Sequence, residues 1–219
     1  MPADPIKLLL KYRSMSLEEL SRLSGYPSWR LEEILSSMGD AVKVAGGNVS
    51  LARPLDVAIS LLERGASAKE VSSYLDWRDF EALAAEIMGA SGYAVARGVR
   101  IHGPLSFEID VLGVDAASRI AIAIDCKHWS RNSAGALREA ARAHRERVER
   151  MARSITRVSA FLPEILRARE AVPMIVTLLT PQVRASEGVL VISISELGNV
   201  LRDLRLVLDE FELKPLRLL

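Results

Sequence analysis

The sequence is poor in cysteine: Cys126 is the single one in 219 residues. One cysteine can form neither an internal disulfide framework nor a cysteine-based zinc site, so both are excluded. Long apolar runs are also missing, and none reaches the roughly 20 residues that a membrane-spanning helix needs. The start of the chain lacks the basic and then apolar pattern of a signal peptide. The expectation is therefore a cytoplasmic protein that does not contact a membrane.

Several nucleotide-binding and catalytic motifs are absent as well. The sequence has no P-loop, no glycine-rich dinucleotide fingerprint and no Ser/His/Asp signature. Chemistry driven by ATP bound to this chain, or acyl transfer, is therefore not expected. A partner ATPase acting in trans stays open. The hydrophobic share of 49% and the charged share of 26% are those of an ordinary globular protein.

The net charge of +1 hides an uneven distribution. Residues 1–75 are neutral, residues 76–130 carry −3 and residues 131–219 carry +4. An acidic segment followed directly by a basic one suits a site where carboxylates bind a metal ion and cations bind phosphate. The alternative is a chance fluctuation of a few charges.

The first quarter of the chain contains signals for three short helices followed by a hairpin. Asp4-Pro5 and Ser16 are helix-start signals, and Gly25 is a helix-stop signal. Gly46-Gly47 separates two short β-prone runs, as in a tight hairpin. Three helices and a hairpin predict a small, mainly α winged-helix domain over residues 1–52.

The third helix of such a domain enters the major groove of DNA. Here it carries Arg30 beside Glu32 and Glu33. In a neutral domain this is a weak electrostatic footprint for DNA binding. Contact with DNA and a protein-interaction or dimerisation role both stay open. Residues 53–75 are predicted to form a helical linker, and residues 76–219 a second domain.

The most informative segment of that second domain runs from Phe107 to Trp129. Two β-prone runs, separated by a polar break at 115–119, predict a hairpin. Its strands can bring Asp110 close to Asp125 and Lys127, which share a strand face because they are two residues apart. Two converging carboxylates must be protonated, paired or bound to a cation. Carboxylate oxygens suit Mg²⁺ or Mn²⁺, and a nearby lysine can orient a water molecule or neutralise a phosphate.

These residues resemble the PD-(D/E)XK nucleases, especially the Mrr-type restriction endonucleases and archaeal Holliday-junction resolvases. The similarity rests on Glu108-Ile109-Asp110 and on Ile124-Asp125-Cys126-Lys127-His128-Trp129. A helix from Trp77, followed by Gly92-Tyr93, is similar to the helix that leads into the first strand of that family. The resemblance covers roughly residues 77–205 and implies an α/β fold with a mixed central sheet flanked by helices.

The resemblance also implies roles for individual residues. Glu81 corresponds to an accessory metal ligand, Asp110 and Asp125 to the two acidic ligands, and Lys127 to the catalytic lysine. Together with the carbonyl of Cys126, the acids would hold Mg²⁺ or Mn²⁺. The sequence departs from the family pattern because the proline is replaced by isoleucine and the second acid is aspartate. Glu81 could instead be a solvated glutamate in the first turn of its helix, favoured by the helix dipole.

The function implied is a metal-dependent DNA endonuclease that acts in repair, recombination or restriction and works as a homodimer. Predicted DNA contacts are Arg97 on the first strand and Arg138, Arg142 and Arg145, which are spaced to share one helix face. A solvated helix face with weak salt bridges is the alternative for that stripe. The rival functions are a catalytically silent nuclease-fold protein that binds DNA or assembles with partners, and a winged-helix regulator.

Three further predictions concern the remainder of the chain. Apolar, β-branched runs at 172–180 and 188–193 predict strands of a partly parallel sheet. Helices are predicted at 159–169 and at 196–208. The apolar tail, residues 211–219, is predicted to pack at a dimer interface.

Overall fold

In a computed structural model of the protein, residues 3–66, 70–71, 73–127 and 133–218 are described. The chain divides into two compact units, Met1–Asp79 and Phe80–Leu219. Residues 53–75 fall within the first unit, where Leu55, Val57 and Leu61 are buried. The three-part division into a winged helix, a linker and a nuclease-like domain stays a prediction.

The first unit combines short helices with a small antiparallel sheet. Its strands are ordered β1-β3-β2. Its elements are α1 (Pro5–Tyr12), β1 (Ser14–Ser16), α2 (Leu17–Ser24), α3 (Ser28–Ser36), β2 (Val42–Ala45), β3 (Asn48–Leu51) and α4 (Pro54–Glu63), with a 3₁₀ turn at Gly39–Ala41.

The helix ends of the first unit follow from local side chains. The Asp4 carboxylate accepts a hydrogen bond from the Ile6 N–H at 2.9 Å, and the Ser16 hydroxyl accepts one from the Glu19 N–H at 3.0 Å. Gly25 ends α2 in the left-handed conformation, with φ of 72°. A core that includes Leu9, Leu20 and Val49 joins the helices to the sheet. These elements are those that the sequence predicts, with β1 added, and the winged-helix assignment stays a prediction.

The second unit is a mixed α/β structure with a central sheet flanked by helices, as predicted. Its elements, counting the helix in which the boundary between the units falls, are α5 (Trp77–Ala90), β4 (Ala94–Ile101), β5 (Phe107–Asp115), β6 (Ile120–Lys127), α6 (Ala134–Ala152), α7 (Ile155–Val158), β7 (Glu170–Thr177), β8 (Ala185–Ser186), β9 (Val189–Ser193), α8 (Leu197–Arg202), α9 (Leu204–Glu210) and β10 (Leu216–Arg217), with 3₁₀ turns at Pro163–Arg167 and Ile194–Glu196.

The described strands of this sheet follow the order β4-β5-β6-β7-β9-β8, and β10 pairs with the start of β7. Strands β4, β5 and β6 form an antiparallel meander. The β6–β7 and β7–β9 pairs are parallel, so β6 joins the antiparallel half to the parallel half. Because β6 and β7 are buried on both faces, their sequences are nearly continuous apolar runs.

Helix packing positions the residues at the end of the β5–β6 hairpin. Val148 and Met151 of α6 share a core with Ala121 and Ala123 of β6. Since side chains alternate along a strand, the face of β6 that α6 covers is also the face of Asp125. Helix α5 lies close to β5 at Gly113, where an added Cβ would lie 2.1 Å from the Met88 Cε.

Two predictions about the second unit are wrong in detail. The predicted helix at 159–169 is a turn followed by the 3₁₀ segment Pro163–Arg167. The predicted helix at 196–208 is divided into α8 and α9, because Asp203 leaves the helical conformation at φ −110° and ψ 27°. The tail forms β10 and pairs with Glu170 and Ala171 of the same chain, and its packing at a dimer interface stays a prediction.

Candidate active site

The β5–β6 hairpin brings Asp110 and Asp125 together. Val111 of β5 pairs with Ile124 of β6, so the two aspartates are the next residues beyond that pair. The backbone N–H of Cys126 donates a hydrogen bond of 2.7 Å to Oδ2 of Asp110. The Asp110 carboxylate is therefore fixed against the strand that carries Asp125.

The environment of Asp110 opposes its negative charge. Burial is the main cause and, together with the charge of Asp125, raises the pKa of Asp110 to about 6. The hydrogen bond from Cys126 and the positive charges of Lys127 and Arg147 act in the opposite direction. Asp110 therefore holds its negative charge less readily than an exposed aspartate does.

Asp125 is the most buried acid of the site and is surrounded by cations. Its side chain is 7% exposed, and its Oδ1 lies 2.9 Å from Nη2 of Arg147. The Lys127 Nζ lies 3.2 Å from Oδ1 and 3.0 Å from Oδ2. Oδ2 is buried and meets no hydrogen-bond criterion among the described residues, but it is ion-paired with Lys127. Asp125 is thus held by arginine at Oδ1 and faces the lysine at Oδ2.

Arg147 belongs to a buried network that the sequence analysis missed. Nε2–H of His144 donates to the carbonyl of Ala123 at 2.8 Å, and Nδ1 of His144 lies 3.4 Å from Nη2 of Arg147. Burial is the main cause that lowers the pKa of His144 to about 4, so the ring is neutral at pH 7. A neutral ring with Nε2 protonated leaves Nδ1 as an acceptor for the arginine. The network therefore connects the backbone of β6 with the Asp125 carboxylate.

The Glu81 side chain is half-buried on α5. Its charge, with those of Asp110 and Asp125, adds to burial in raising the pKa of the Cys126 thiol. Glu81 is thus within electrostatic range of the hairpin end. The thiol is held in its neutral form, which leaves the backbone carbonyl as the metal-binding group that Cys126 offers.

The donor set fits a hard divalent cation. Two carboxylates and a backbone carbonyl are oxygen ligands of the kind that Mg²⁺ and Mn²⁺ prefer. The raised pKa of Asp110 is a feature that a bound cation would offset. Within residues 3–66, 70–71, 73–127 and 133–218, no group of three or more His, Cys, Asp or Glu side chains is arranged to hold a metal ion.

The arginines predicted to bind DNA fall into two groups, those that are exposed and those that contact a neighbouring turn. Arg97 and Arg138 are exposed on β4 and α6. Arg142 and Arg145 contact the turn between β8 and β9, through the Glu187 carboxylate at 3.8 Å and the Glu187 carbonyl at 3.2 Å. At about 100° per helical residue, Arg145 lies about 200° around α6 from Arg147. The stripe therefore flanks the side of α6 opposite to Asp125.

His102 lies between β4 and β5, where it is exposed, and its carbonyl accepts a hydrogen bond of 2.7 Å from Arg157. His128 and Trp129, which belong to the motif, lie outside the described residues.

A family comparison identifies the same segment. Residues 73–157 match the Mrr_cat family model, which is described as a restriction endonuclease. The matched segment contains Glu81, Asp110, Asp125, Lys127 and Arg147. It does not reach residues 1–72. Among curated proteins, no sequence match was found.

Two solved structures show a low similarity to this chain in both sequence and fold. Protein VC1899 from Vibrio cholerae is 16% identical with a TM-score of 0.39, over 94% of this chain and 51% of that one. Restriction endonuclease FokI is 16% identical with a TM-score of 0.41, over 95% of this chain and 44% of that one. The chain thus spans about half the length of these proteins, and likenesses at such scores carry no functional argument.

In the described part of the chain, no helix is both long and apolar enough to span a membrane.

The family identification rests on residues 73–157, where the matched model and the paired aspartates coincide. The resemblance predicted from the sequence is confirmed for that segment: residues 73–157 match the restriction-endonuclease family model Mrr_cat.

Proposed function

We propose that the chain is a metal-dependent DNA endonuclease that hydrolyses phosphodiester bonds. The observation that carries this proposal is the convergence of Asp110 and Asp125 at one end of the hairpin, with Lys127 on the same strand. The match of residues 73–157 to a restriction-endonuclease model supports the same conclusion.

Each residue of the hairpin end has a distinct role in this proposal. Asp110, Asp125 and the Cys126 carbonyl hold Mg²⁺ or Mn²⁺, and Glu81 contributes from α5. The bound cation would polarise the scissile phosphate and lower the pKa of a coordinated water molecule. Lys127 orients the attacking water and stabilises the charge that develops on the phosphate oxygens.

Arg147 and His144 are positioning residues rather than catalytic ones. Arg147 holds Oδ1 of Asp125 at 2.9 Å and would thereby fix the orientation of a carboxylate that binds the metal. His144 in turn fixes the arginine, since its Nδ1 lies 3.4 Å from the same guanidinium nitrogen. Such partners of metal ligands commonly affect metal affinity or activity by about 10- to 100-fold.

The proposed nuclease binds DNA through exposed arginines. Arg97 and Arg138 are the better candidates, because Arg142 and Arg145 are engaged at the Glu187 turn. The family chemistry implies a homodimer that cuts two strands, acting in repair, recombination or restriction. A partner ATPase acting in trans is compatible with the absence of a P-loop in this chain.

Cleavage of labelled DNA with Mg²⁺ or Mn²⁺ tests the proposal. Duplex, single-stranded, flap and four-way-junction substrates are incubated with the wild type, Asp110→Ala and Lys127→Ala proteins, each checked for folding. Metal-dependent cleavage that is lost in both variants supports the nuclease.

Absence of cleavage by the folded wild-type protein, with DNA binding retained, would overturn the proposal. The catalytically silent nuclease-fold protein would then be the better description. In that protein Asp125 would be neutralised by Lys127 and Arg147 alone.

A further inference from the structure

A second charged site lies at the opposite end of strand β6. A cavity of about 430 Å³ opens there between the β5–β6 turn, the start of β7 and strand β10. We call it the arginine pocket; its lining is Ser118, Arg119, Arg169, Glu170, Arg205, Arg217 and Leu218. At about 3.3 Å per strand residue, Arg119 lies about 20 Å along β6 from Asp125.

Backbone hydrogen bonds fix the three segments that carry these arginines. The carbonyl of Arg119 accepts a hydrogen bond from the Arg169 N–H at 2.8 Å, and the carbonyl of Arg169 accepts one from the Leu218 N–H at 2.9 Å. Arg217 pairs with Glu170 in the β10–β7 ladder. The guanidinium groups of Arg119, Arg169 and Arg217 therefore extend from a frame that does not depend on their own side chains.

Positive charge is in excess in the pocket. Among its described lining residues, Glu170 is the single one with a carboxylate, and it is engaged by Arg205 at 2.7 Å. Among the described residues, no carboxylate lies within 4.0 Å of the guanidinium groups of Arg119, Arg169 or Arg217. An adjoining cavity of about 340 Å³ adds Arg167 to Arg119 and Arg169. Such a group of like charges is unfavourable unless an anion binds to it.

The residue types indicate which anion fits. The planar guanidinium group has five N–H donors and binds phosphate oxygens with two parallel hydrogen bonds, and its charge is permanent. Several arginines around one cavity are suited to a ligand with more than one phosphate charge.

We propose that the arginine pocket binds phosphoryl groups, supplied either by the backbone of a nucleic acid or by a free polyphosphate. The site is separate from the acidic end of the hairpin. Binding to it requires neither a divalent metal nor cleavage, so the inference does not rest on the proposed nuclease.

Binding measured in EDTA tests the pocket alone. The probes are a short labelled DNA duplex and inorganic pyrophosphate, titrated against the wild-type protein and an Arg119→Gln/Arg169→Gln/Arg217→Gln variant. The control variant, Lys11→Gln/Arg22→Gln/Lys214→Gln, removes the same charge from exposed positions outside the pocket. Thermal unfolding verifies that both variants fold.

The pocket variant is expected to bind at least one probe about tenfold or more weakly than the control variant. If the duplex is the ligand, the slope of log K against log salt also decreases by about 2 to 3, because each phosphate contact contributes about 0.9. Loss of pyrophosphate binding alone assigns the pocket to a free polyphosphate. Equal binding of both probes by the two variants would overturn the inference.

Protection from chemical modification provides a test without substitutions. The bound probe should protect Arg119, Arg169 and Arg217 of the wild-type protein from phenylglyoxal, as measured by mass spectrometry of peptides. Exposed Arg22 serves as the unprotected reference. Equal modification at all four positions, with and without probe, would contradict phosphoryl binding at the pocket.

Discussion

The two ends of strand β6 use arginine in opposite ways. At the Asp125 end, Arg147 is 24% exposed and pairs with a carboxylate that is 7% exposed. At the Ile120 end, Arg205 is 56% exposed and Glu170 is 34% exposed. Arginine therefore positions a buried acid at one end, whereas the arginines at the other end outnumber the carboxylates and face solvent. The degree of burial of an arginine therefore determines whether it positions an acid or faces solvent.

The largest difference is expected when the acid of each end loses its charge. Asp125→Asn leaves Arg147 partly buried without its counter-charge, which should lower the free energy of unfolding by about 3 kcal/mol. Glu170→Gln removes an exposed pair and should cost at most about 1 kcal/mol. Urea unfolding of both variants in EDTA makes the comparison. Similar losses for the two would show that burial does not distinguish the ends.

Replacing the positioning arginine should reduce activity rather than abolish it. Arg147→Met keeps much of the apolar stem but loses the hydrogen bond to Asp125, so cleavage should decrease by about 10- to 100-fold. A higher Mg²⁺ concentration should restore part of the rate, because the metal ligand is misdirected and not removed. The measurement is the initial cleavage rate as a function of Mg²⁺.

Arg153→Met is the matched control for that experiment, since Arg153 is exposed at the end of the same helix. Its cleavage rate should stay within about twofold of the wild-type rate, as expected for an exposed residue away from the site. An equal loss in both variants would assign the effect to net charge instead of to the contact with Asp125.

Acid should affect the two buried groups of the site in opposite directions. Burial lowers the pKa of His144 to about 4, so its stabilising contribution is complete above its unfolded pKa of 6.5 and is lost as the pH falls towards 4. The pKa of Asp110 is raised from 3.8 to about 6. Its contribution is complete below 3.8 and is lost as the pH rises through 6.

Two variants separate these contributions. Between pH 7 and pH 5 in EDTA, Asp110→Asn protein should lose about 2 kcal/mol of unfolding free energy, because only the His144 contribution remains. His144→Gln protein should instead gain about 1 kcal/mol over the same interval. Urea unfolding at both pH values measures the change. Parallel pH curves for the two variants would refute these assignments.

The smallest effects are expected for exposed arginines that contact DNA. Arg97→Gln and Arg138→Gln should each lower the slope of log K against log salt by about 1 and weaken duplex binding only a few-fold. Arg145→Gln, whose side chain contacts Glu187 and Glu149, should leave that slope unchanged. Fluorescence anisotropy across a salt series makes the measurement. Unchanged slopes for Arg97 and Arg138 would exclude them as phosphate contacts.

Local patterns explain what the sequence could predict. The hairpin, its two aspartates and the capped helices are each encoded within a few neighbouring residues, and the structure places them where the patterns indicate. Glu81 was predicted by family resemblance, and the structure brings it within electrostatic range of Cys126. The DNA contacts and the homodimer stay predictions.

Contacts across space explain what the sequence could not predict. The positioning roles of Arg147 and His144 can be recognised only once α6 is packed over β6. Arginines are common in this chain, and a single histidine on an apolar helix face is usually a core residue. Strand β10 has two residues, too few for any periodicity, and its pairing with β7 depends on the completed sheet. The one available signal was the three-residue spacing of His144 and Arg147, which places them on adjacent turns of one helix.

The β5–β6 hairpin also has a consequence for the order of folding. Its two strands are joined by the turn at 116–119, so the contact between Asp110 and Cys126 closes a short loop. The parallel pairing of β6 with β7 must instead wait until residues 128–169 are enclosed. We therefore expect the carboxylate pair to assemble early, before α6 covers the hairpin. Substitutions in the hairpin should slow folding, whereas substitutions at Arg147 should chiefly accelerate unfolding.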